Sequence, residues 1–301
     1  MLTVKTPAKG LVAHGLNACH GCGLELIGRV YVNTAGKNSV ICIPPGCGAL
    51  FSGMGNETAV QIPGLQGNLG ATAAYTAGIR AGFEIQGRDD INVLAMAGDG
   101  ATVDIGLQSL SGMLDRGEKV LYLCYDNEAY MNTGIQGSAS TPSHARTTTT
   151  PAGRQGRRKD LLQIVAAHGI PYTATASVAD VDDLERKIRK ALAASKTGPA
   201  FLHVHAPCPT GWGYDPARTI EIARLAVETK CWILCEVICG TEFRLAPLKK
   251  NRPVGDYLRQ QRRFQGVTPG QLAEIQAEVD FQYEQLQRRA SISPLRNVAG
   301  A

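Results

Sequence analysis

Gly98-Asp99-Gly100 is followed, after 26 residues, by Asn127, and a carboxylate and an amide at this separation suit the capture of a diphosphate through a divalent cation. The oxygens of a diphosphate repel one another and any unpaired carboxylate nearby, so a metal must stand between them. Asp99 offers a hard anionic oxygen and Asn127 a neutral one. The flanking glycines let the backbone approach the phosphates, and a helix beginning near Thr102 points free amides at them. A lone Gly-Asp-Gly is more often a turn; the strand before it, the helix after it and a second strand ending in Asn supply its weight.

A second constellation is built from thiols. Of nine cysteines, Cys19 and Cys22 form a Cys-His-Gly-Cys clamp, Cys47 lies in Pro45-Gly46-Cys47-Gly48, and Cys208 lies in Ala206-Pro207-Cys208-Pro209. A Cys-x-x-Cys pair alone fits a zinc half-site, a redox disulfide or two core thiols. Four thiols flanked by Gly and Pro suit a [4Fe-4S] cluster better, because such flanks expose backbone amides to the sulfides. Cys231, Cys235 and Cys239 share a four-residue spacing but sit among Trp232, Ile233, Leu234 and Val237, as small hydrophobes of a core strand or helix do. Cys42 and Cys124 lie in apolar runs, and His20 reads as a polar neighbour of the clamp.

The metal motif resembles that of thiamine-diphosphate enzymes, with Asp126-Asn127 where the family usually shows Asn-Asn. The stretch Tyr130-Met131-Asn132-Thr133-Gly134-Ile135-Gln136 is similar to the segment after the metal site in pyruvate:ferredoxin oxidoreductase. Ala166-Ala167-His168-Gly169-Ile170-Pro171-Tyr172 and Arg252-Pro253-Val254 extend the likeness from roughly Leu16 to Gln287. The chain thus resembles the beta, thiamine-diphosphate-binding subunit of the 2-oxoacid:ferredoxin oxidoreductase family.

That resemblance implies a set of roles. Gly98, Asp99, Gly100, Ala101, Asn127, Ala129, Asn132 and Thr133 would hold thiamine diphosphate; Asp99, Asn127 and the Ala129 carbonyl would bind Mg²⁺. Cys19, Cys22, Cys47 and Cys208 would bind the [4Fe-4S] cluster, and Asn132 would be the catalytic side chain facing the reacting carbon. The implied activity is oxidative decarboxylation of a small 2-oxoacid, with release of CO₂ and transfer of electrons through the cluster to ferredoxin. In the family a partner subunit supplies the glutamate that activates the cofactor; Glu57 and Glu128 lack the matching context. No ferredoxin-type Cys-x-x-Cys-x-x-Cys run is present, so further clusters would sit on a partner, and the chain is expected to work only in a complex. Gln61 to Gln66 replaces an aromatic, His-containing stretch of the pyruvate enzymes, and Gly137 stands where many relatives carry arginine. These departures bring oxalate forward beside pyruvate, and for oxalate coenzyme A would be unnecessary.

The elements that must position these residues are legible as an alternation. Ile91 to Ala97 and Val120 to Tyr125 read as apolar strands ending in the two metal motifs, with Ile105, Leu110, Met113 and Leu114 on a helix between them and Gly117 as its stop. Leu161 to His168 reads as a helix closed by Gly169, Tyr172 to Ala176 as a strand, Val181 to Leu192 as a helix capped by Ser177, and Phe201 to His205 as a strand. This pattern predicts an α/β fold with a doubly wound, mostly parallel sheet, in which ligands bind beyond the carboxyl ends of the strands. Glu128 to Lys159 is too long and polar for a plain connection, and is either a binding loop or disordered. Residues 1–245 are expected to form the cofactor domain. Residues 246–301 are expected to form a helical extension opened by a Thr268/Gln271 capping box with Pro269.

Composition narrows the class without naming a function. At 301 residues with 34 glycines, 6% aromatics and 44% apolar residues, the chain suits a gly-rich α/β domain and not a disordered one. No segment reaches the roughly 20 apolar residues of a membrane span, and Met1 to Gly10 is not followed by a secretory apolar run, so a cytoplasmic location is expected. The net charge of +5, concentrated in Arg154 to Lys159 and Lys249 to Arg263, lacks the bias and interleaved aromatics of a nucleic-acid binder. A non-oxidative thiamine-dependent decarboxylase would not need the four thiols, and a non-catalytic iron-sulfur carrier or a zinc-stabilised subunit would not need Asp99, Asn127 and Asn132.

Overall fold

Side chains alternate along the central strands and are apolar on both faces, which requires a layer on each side of the sheet. Leu94 and Met96 join one core cluster while Val93, Ala95 and Ala97 join another; Leu121, Leu123 and Tyr125 oppose Tyr122 and Cys124 in the same way. The structure, a computed structural model, describes residues 10–53 and 58–292.

Eight strands form one sheet in the order β2-β1-β3-β4-β6-β5-β7-β8. They are β1 (Ser39–Ile43), β2 (Gly64–Gln66), β3 (Asn92–Gly98), β4 (Leu121–Asp126), β5 (Tyr172–Ser177), β6 (Ala200–His205), β7 (Cys235–Ile238) and β8 (Glu242–Leu245). The first six run parallel; β7 and β8 add an antiparallel edge. Helices α1 (Gly23–Ala35) and α6 (Val181–Ala194) cover one face. Helices α3 (Thr72–Ile85), α4 (Leu107–Asp115) and α5 (Leu161–Ala166) cover the other. The short α2 (Ala49–Ser52) and α7 (Pro209–Trp212) follow two of the cysteines, and α8 (Thr219–Glu228), α9 (Gly255–Leu258) and α10 (Pro269–Ser291) build a third core around Trp212, Trp232 and Tyr257. No helix among the described residues is long and apolar enough to cross a membrane.

The predicted doubly wound sheet is the one observed, and its strands and helices differ from expectation at their ends. Asp180, not Ser177, caps α6: the Asp180 carboxylate accepts from the Asp183 amide, while the Ser177 hydroxyl accepts from Ala179 one step earlier. The helix expected directly after Gly98-Asp99-Gly100 begins as one wide turn over Gly100–Asp104, and α4 starts only at Leu107. Ile105 falls in the junction and is exposed, so it does not share the buried face of Leu110, Met113 and Leu114. Of Cys231, Cys235 and Cys239, expected as small core hydrophobes, only Cys235 is fully buried. Cys235 is buried in β7, whereas Cys239 is exposed in the turn beyond it. His168 of the Ala-Ala-His-Gly segment hydrogen-bonds Ser111 at 2.9 Å and ties α5 to α4.

The stretch Glu128 to Lys159 is an ordered loop. Arg154 donates to the carbonyls of Ser138 and Thr141, and Ala139 donates to Asp104. The predicted capping box at Thr268 and Gln271 opens α10. The C-terminal segment is bound to this loop by a buried pair: Arg263 and Glu128, whose side chains are 4% and 3% exposed, meet with Arg158 as the second cation. Arg263 also lies flat against Trp212, 3.9 Å from the ring centre. Removing one partner of a buried pair strands the other charge, at roughly 3–5 kcal/mol. Arg263→Met is therefore expected to lower the unfolding free energy of the assembled protein, read as a lower urea midpoint, by less than that order because Arg158 stays beside Glu128, and the added change Glu128→Gln to recover part of it. An unchanged midpoint in the single variant would show the pair to be dispensable.

Candidate functional site

Four neighbouring strands deliver the site. β1 leads into Pro45-Gly46-Cys47, β3 into Asp99, β4 into Asn127 and β6 into Cys208, all beyond the carboxyl edge of the sheet. Two cavities open there. The first, of about 120 Å³, is lined by Gly98, Asp99, Gly100, Ala101, Asn127, Ala129, Asn132 and Thr133, together with Cys47, Tyr125, Tyr130 and Met131. All eight residues singled out for the cofactor are thus brought together. Gly100 is required for its smallness, because a Cβ there would stand 2.3 Å from the Tyr130 ring. The wide turn after Asp99 directs its backbone at this cavity.

Asp99 is 1% exposed and, among the described residues, has no cationic partner. Burial, and then the charge of Asp126, hold its carboxyl well above the usual range, although the Ser138 hydroxyl donates to Oδ2. Its neighbours are treated differently. Burial also pushes Asp126 upward, but the hydrogen bond from His203 at 2.7 Å, the charge of that histidine, the Ser140 hydroxyl and the Arg158 charge together hold that carboxyl below its usual range. Two arginines attend Glu128. The group left uncompensated is the predicted metal ligand, and a divalent cation is what would let it ionise.

The oxygens around Asp99 fit such a cation. The Asn127 amide oxygen faces only acceptors, with the Ala129 carbonyl at 2.8 Å and Asp99 Oδ1 at 3.1 Å. Adjacent ligands of octahedral Mg²⁺, bound at 2.0–2.1 Å, are about 2.9 Å apart. Turned over, the amide nitrogen would donate to the same two oxygens.

The second cavity, of about 170 Å³, is lined by Cys19, Cys22, Cys47 and Cys208. Among the described residues no three His, Cys, Asp or Glu side chains are placed to hold a metal ion; the four thiols line one common cavity. Cys22 ends the clamp as the residue before α1, and Gly23 N donates to the Pro207 carbonyl at 3.2 Å, locking the clamp to the Cys208 loop. Cys208 caps α7, its sulfur accepting from the Gly211 amide at 3.3 Å. Burial and the neighbouring thiols push Cys47 up to about 12 and Cys208 up to about 11. A bound cationic iron centre would reverse that preference, since the thiolate is the ligand form.

Sequence reasoning missed several residues of the site. Tyr125 accepts the Gly48 amide at 2.8 Å and holds the Cys47 turn against β4. Trp212 donates its indole N–H to the Asn127 carbonyl at 2.9 Å. Ser138, 39 positions from Asp99, carries no local signal at all. The pair Asp126–His203 explains the departure from Asn-Asn: a carboxylate at 126 meets a histidine on the adjacent strand β6. Glu57 lies outside the described residues, and Glu128 is held by Arg158 and Arg263. Gln61 to Gln66 and Gly137 line neither cavity.

Known proteins resemble this chain in sequence and fold. Residues 45–204 match the family model of the thiamine pyrophosphate enzyme C-terminal TPP-binding domain. Over 290 residues the chain is 46% identical to the pyruvate synthase subunit PorB of Methanothermobacter thermautotrophicus, covering 94% of this chain and 99% of that one. It is 41% identical over 291 residues to the ketoisovalerate oxidoreductase subunit VorB of Pyrococcus furiosus, covering 92% and 93%. A solved structure, the 2-oxoglutarate:ferredoxin oxidoreductase from Magnetococcus marinus, shares the fold with a TM-score of 0.58 at 22% identity, covering 69% of this chain and 72% of that one. Likeness at that level over nearly the whole length places the chain in the family of thiamine-diphosphate-binding beta subunits of pyruvate synthase and related 2-oxoacid:ferredoxin oxidoreductases.

Proposed function

We propose that this chain carries the reaction centre of an oxidoreductase that decarboxylates pyruvate, or a 2-oxoacid of similar size, and passes the electrons through a [4Fe-4S] cluster to ferredoxin. One observation supports this reading above the others: the two cavities share a wall, with Cys47, Asn127, Met131 and Asn132 lining both. A diphosphate site and a four-thiol site separated by single side chains suit electron transfer between their occupants. A non-oxidative decarboxylase would use only the first cavity, and an iron-sulfur carrier or a zinc-stabilised subunit only the second.

In this reading Asp99, Asn127 and the Ala129 carbonyl hold Mg²⁺, and the backbone of Gly98, Gly100 and Ala101 closes on the diphosphate with Thr133. Thiamine diphosphate, when bound, supplies the carbanion chemistry that releases CO₂ from a 2-oxoacid. The chain's own part is positional and electrostatic. Asn132 directs its amide into the cavity, where charge develops during the reaction. Tyr130 and Met131 line the space beside it. Cys19, Cys22, Cys47 and Cys208 hold the cluster. Asn132, Thr133 and Cys19 are exposed in this chain alone, which supports a partner subunit closing the site and supplying the activating glutamate, with further clusters on another. The cofactor domain spans 1–245 in this reading, and 246–301 is an extension whose Arg263 secures the loop after β4. A cytoplasmic location, where thiols stay reduced, suits such a cluster. Because Gln61 to Gln66 and Gly137 stand outside both cavities, nothing in the site favours oxalate over pyruvate.

The deciding experiment is anaerobic viologen reduction by the native complex with pyruvate, ketoisovalerate or oxalate, each with and without coenzyme A. Coenzyme-A-dependent turnover of pyruvate is expected; turnover of oxalate alone without coenzyme A would replace the substrate proposed here, and a colourless, iron-free complex would overturn the reading. Asp99→Asn is expected to abolish retention of thiamine diphosphate while iron content stays unchanged. Asn132→Ala should lower kcat by about 10²–10³-fold with cofactor affinity preserved, measured by steady-state kinetics and calorimetry. A variant with full kcat would remove Asn132 from the reaction.

A further inference from the structure

We propose that the cavity between α5 and α10 binds a small monocarboxylate with a short apolar tail, at a site separate from the reaction centre. The cavity has a volume of about 150 Å³ and lies against β5 and β6, with Thr175 and His203 in its lining. No residue that lines it lines either cavity at the carboxyl edge of the sheet. The inference goes beyond the function proposed above and does not depend on it.

Two side chains bring unused donors to it. His203 is 8% exposed. Its Nε2 meets Asp126 at 2.7 Å, while its Nδ1 makes no hydrogen bond among the described residues and is not sealed from solvent. Paired with a carboxylate at one nitrogen, the charged ring presents an N–H at the other. Arg158 brings the second donor. Its Nη1 meets Glu128 at 3.3 Å and its Nη2 donates to the Cys231 carbonyl at 2.8 Å, which leaves Nε without a hydrogen-bond partner among the described residues. Trp232 braces both: the His203 ring meets it edge-on with centroids 4.7 Å apart, and the guanidinium lies 5.6 Å from its centre. Polar groups this far inside a protein are ordinarily satisfied, so two unused donors on one cavity point to an acceptor that binds there.

The rest of the lining selects the ligand. Arg158, Lys159 and His203 face a single carboxylate, Asp160, whose oxygen is taken up in capping α5 by accepting from the Gln163 amide. Charge therefore favours an anion. Trp232, Phe281 and Leu286 supply an apolar wall, which an inorganic anion leaves unfilled and a short aliphatic chain covers. A carboxylate accepts from two donors at once, and charge-assisted bonds of this kind are the strong ones. A cavity of this volume holds a molecule the size of benzene, so the fit is to an acid of about six heavy atoms.

The test is isothermal titration calorimetry of the native complex with isobutyrate, in a buffer free of other carboxylates, with the neutral isostere isobutyramide as control. Isobutyrate is expected to bind at one site per chain, and isobutyramide about tenfold more weakly or less. Gln285, half-buried on α10, lines the cavity and its side chain makes no hydrogen bond among the described residues. Gln285→Trp should fill the space and abolish binding while viologen reduction by the complex keeps its wild-type rate. Gln163→Trp, on α5, reads the same loss if the first variant fails to assemble. No binding in the wild type, equal binding of acid and amide, or binding unchanged in an assembled tryptophan variant overturns the site; the last result would put isobutyrate in the substrate cavity instead. None of these outcomes bears on the function proposed above, which stands or falls by turnover and iron content.

Discussion

Four adjacent parallel strands, β1, β3, β4 and β6, end on one edge of the sheet, and nearly everything chemical in this chain hangs from that alignment. Parallel pairing sets the register: Gly98 lies opposite Tyr125 and Asp126 opposite His205, so the residue following each strand emerges beside its neighbour's. A carboxylate, an amide and two cysteines separated by up to 161 positions along the chain arrive at two contiguous cavities. The core clusters on both faces of the sheet keep the strands from slipping, because a one-residue slip would send every alternate apolar side chain to the wrong layer.

The same edge gathers three buried carboxylates, which a protein interior tolerates only with compensation. Asp126 has His203, and Glu128 has Arg158 and Arg263. Asp99 has a serine hydroxyl and, among the described residues, no cationic partner, which is the observation behind the cation site proposed for it. Burying the arginines with Glu128 has a structural return as well: it draws the segment beyond β8 onto the loop that carries Ser138, and that hydroxyl reaches back to Asp99. The long loop is thereby ordered by charge and hydrogen bonds, having few apolar residues with which to anchor itself.

The thiol cavity depends on small residues in the same measure. A Cβ at Gly21 would strike the Pro216 backbone, one at Gly23 would crowd Pro207 at 3.0 Å, and one at Gly211 would displace the end of the Met131 side chain. The clamp at Cys19 and Cys22 can therefore lie directly against the Cys208 loop. Met131 is wedged between this loop and the first cavity, which makes the partition between the two spaces one side chain thick. The short separation of the two cavities follows from packing around glycine.

What the sequence by itself determined was the alternation of strands and helices, the Asp99–Asn127 spacing, the flanks of the four cysteines and the Thr268 cap. These are local signals: periodicity, turn residues and motif spacing survive without knowledge of any partner. Only the tertiary structure decided that Cys47 and Asn127 belong to both cavities, that Asp126 pairs with His203, that Asp180 and not Ser177 opens α6, and that Glu128 is held by Arg263. Each of these joins residues far apart in the chain, or turns on a backbone direction that periodicity does not encode. The three-residue strand β2 leaves too few repeats to read, and the order of the loop Glu128 to Lys159 is not legible because it comes from arginines and hydroxyls whose partners lie far along the chain.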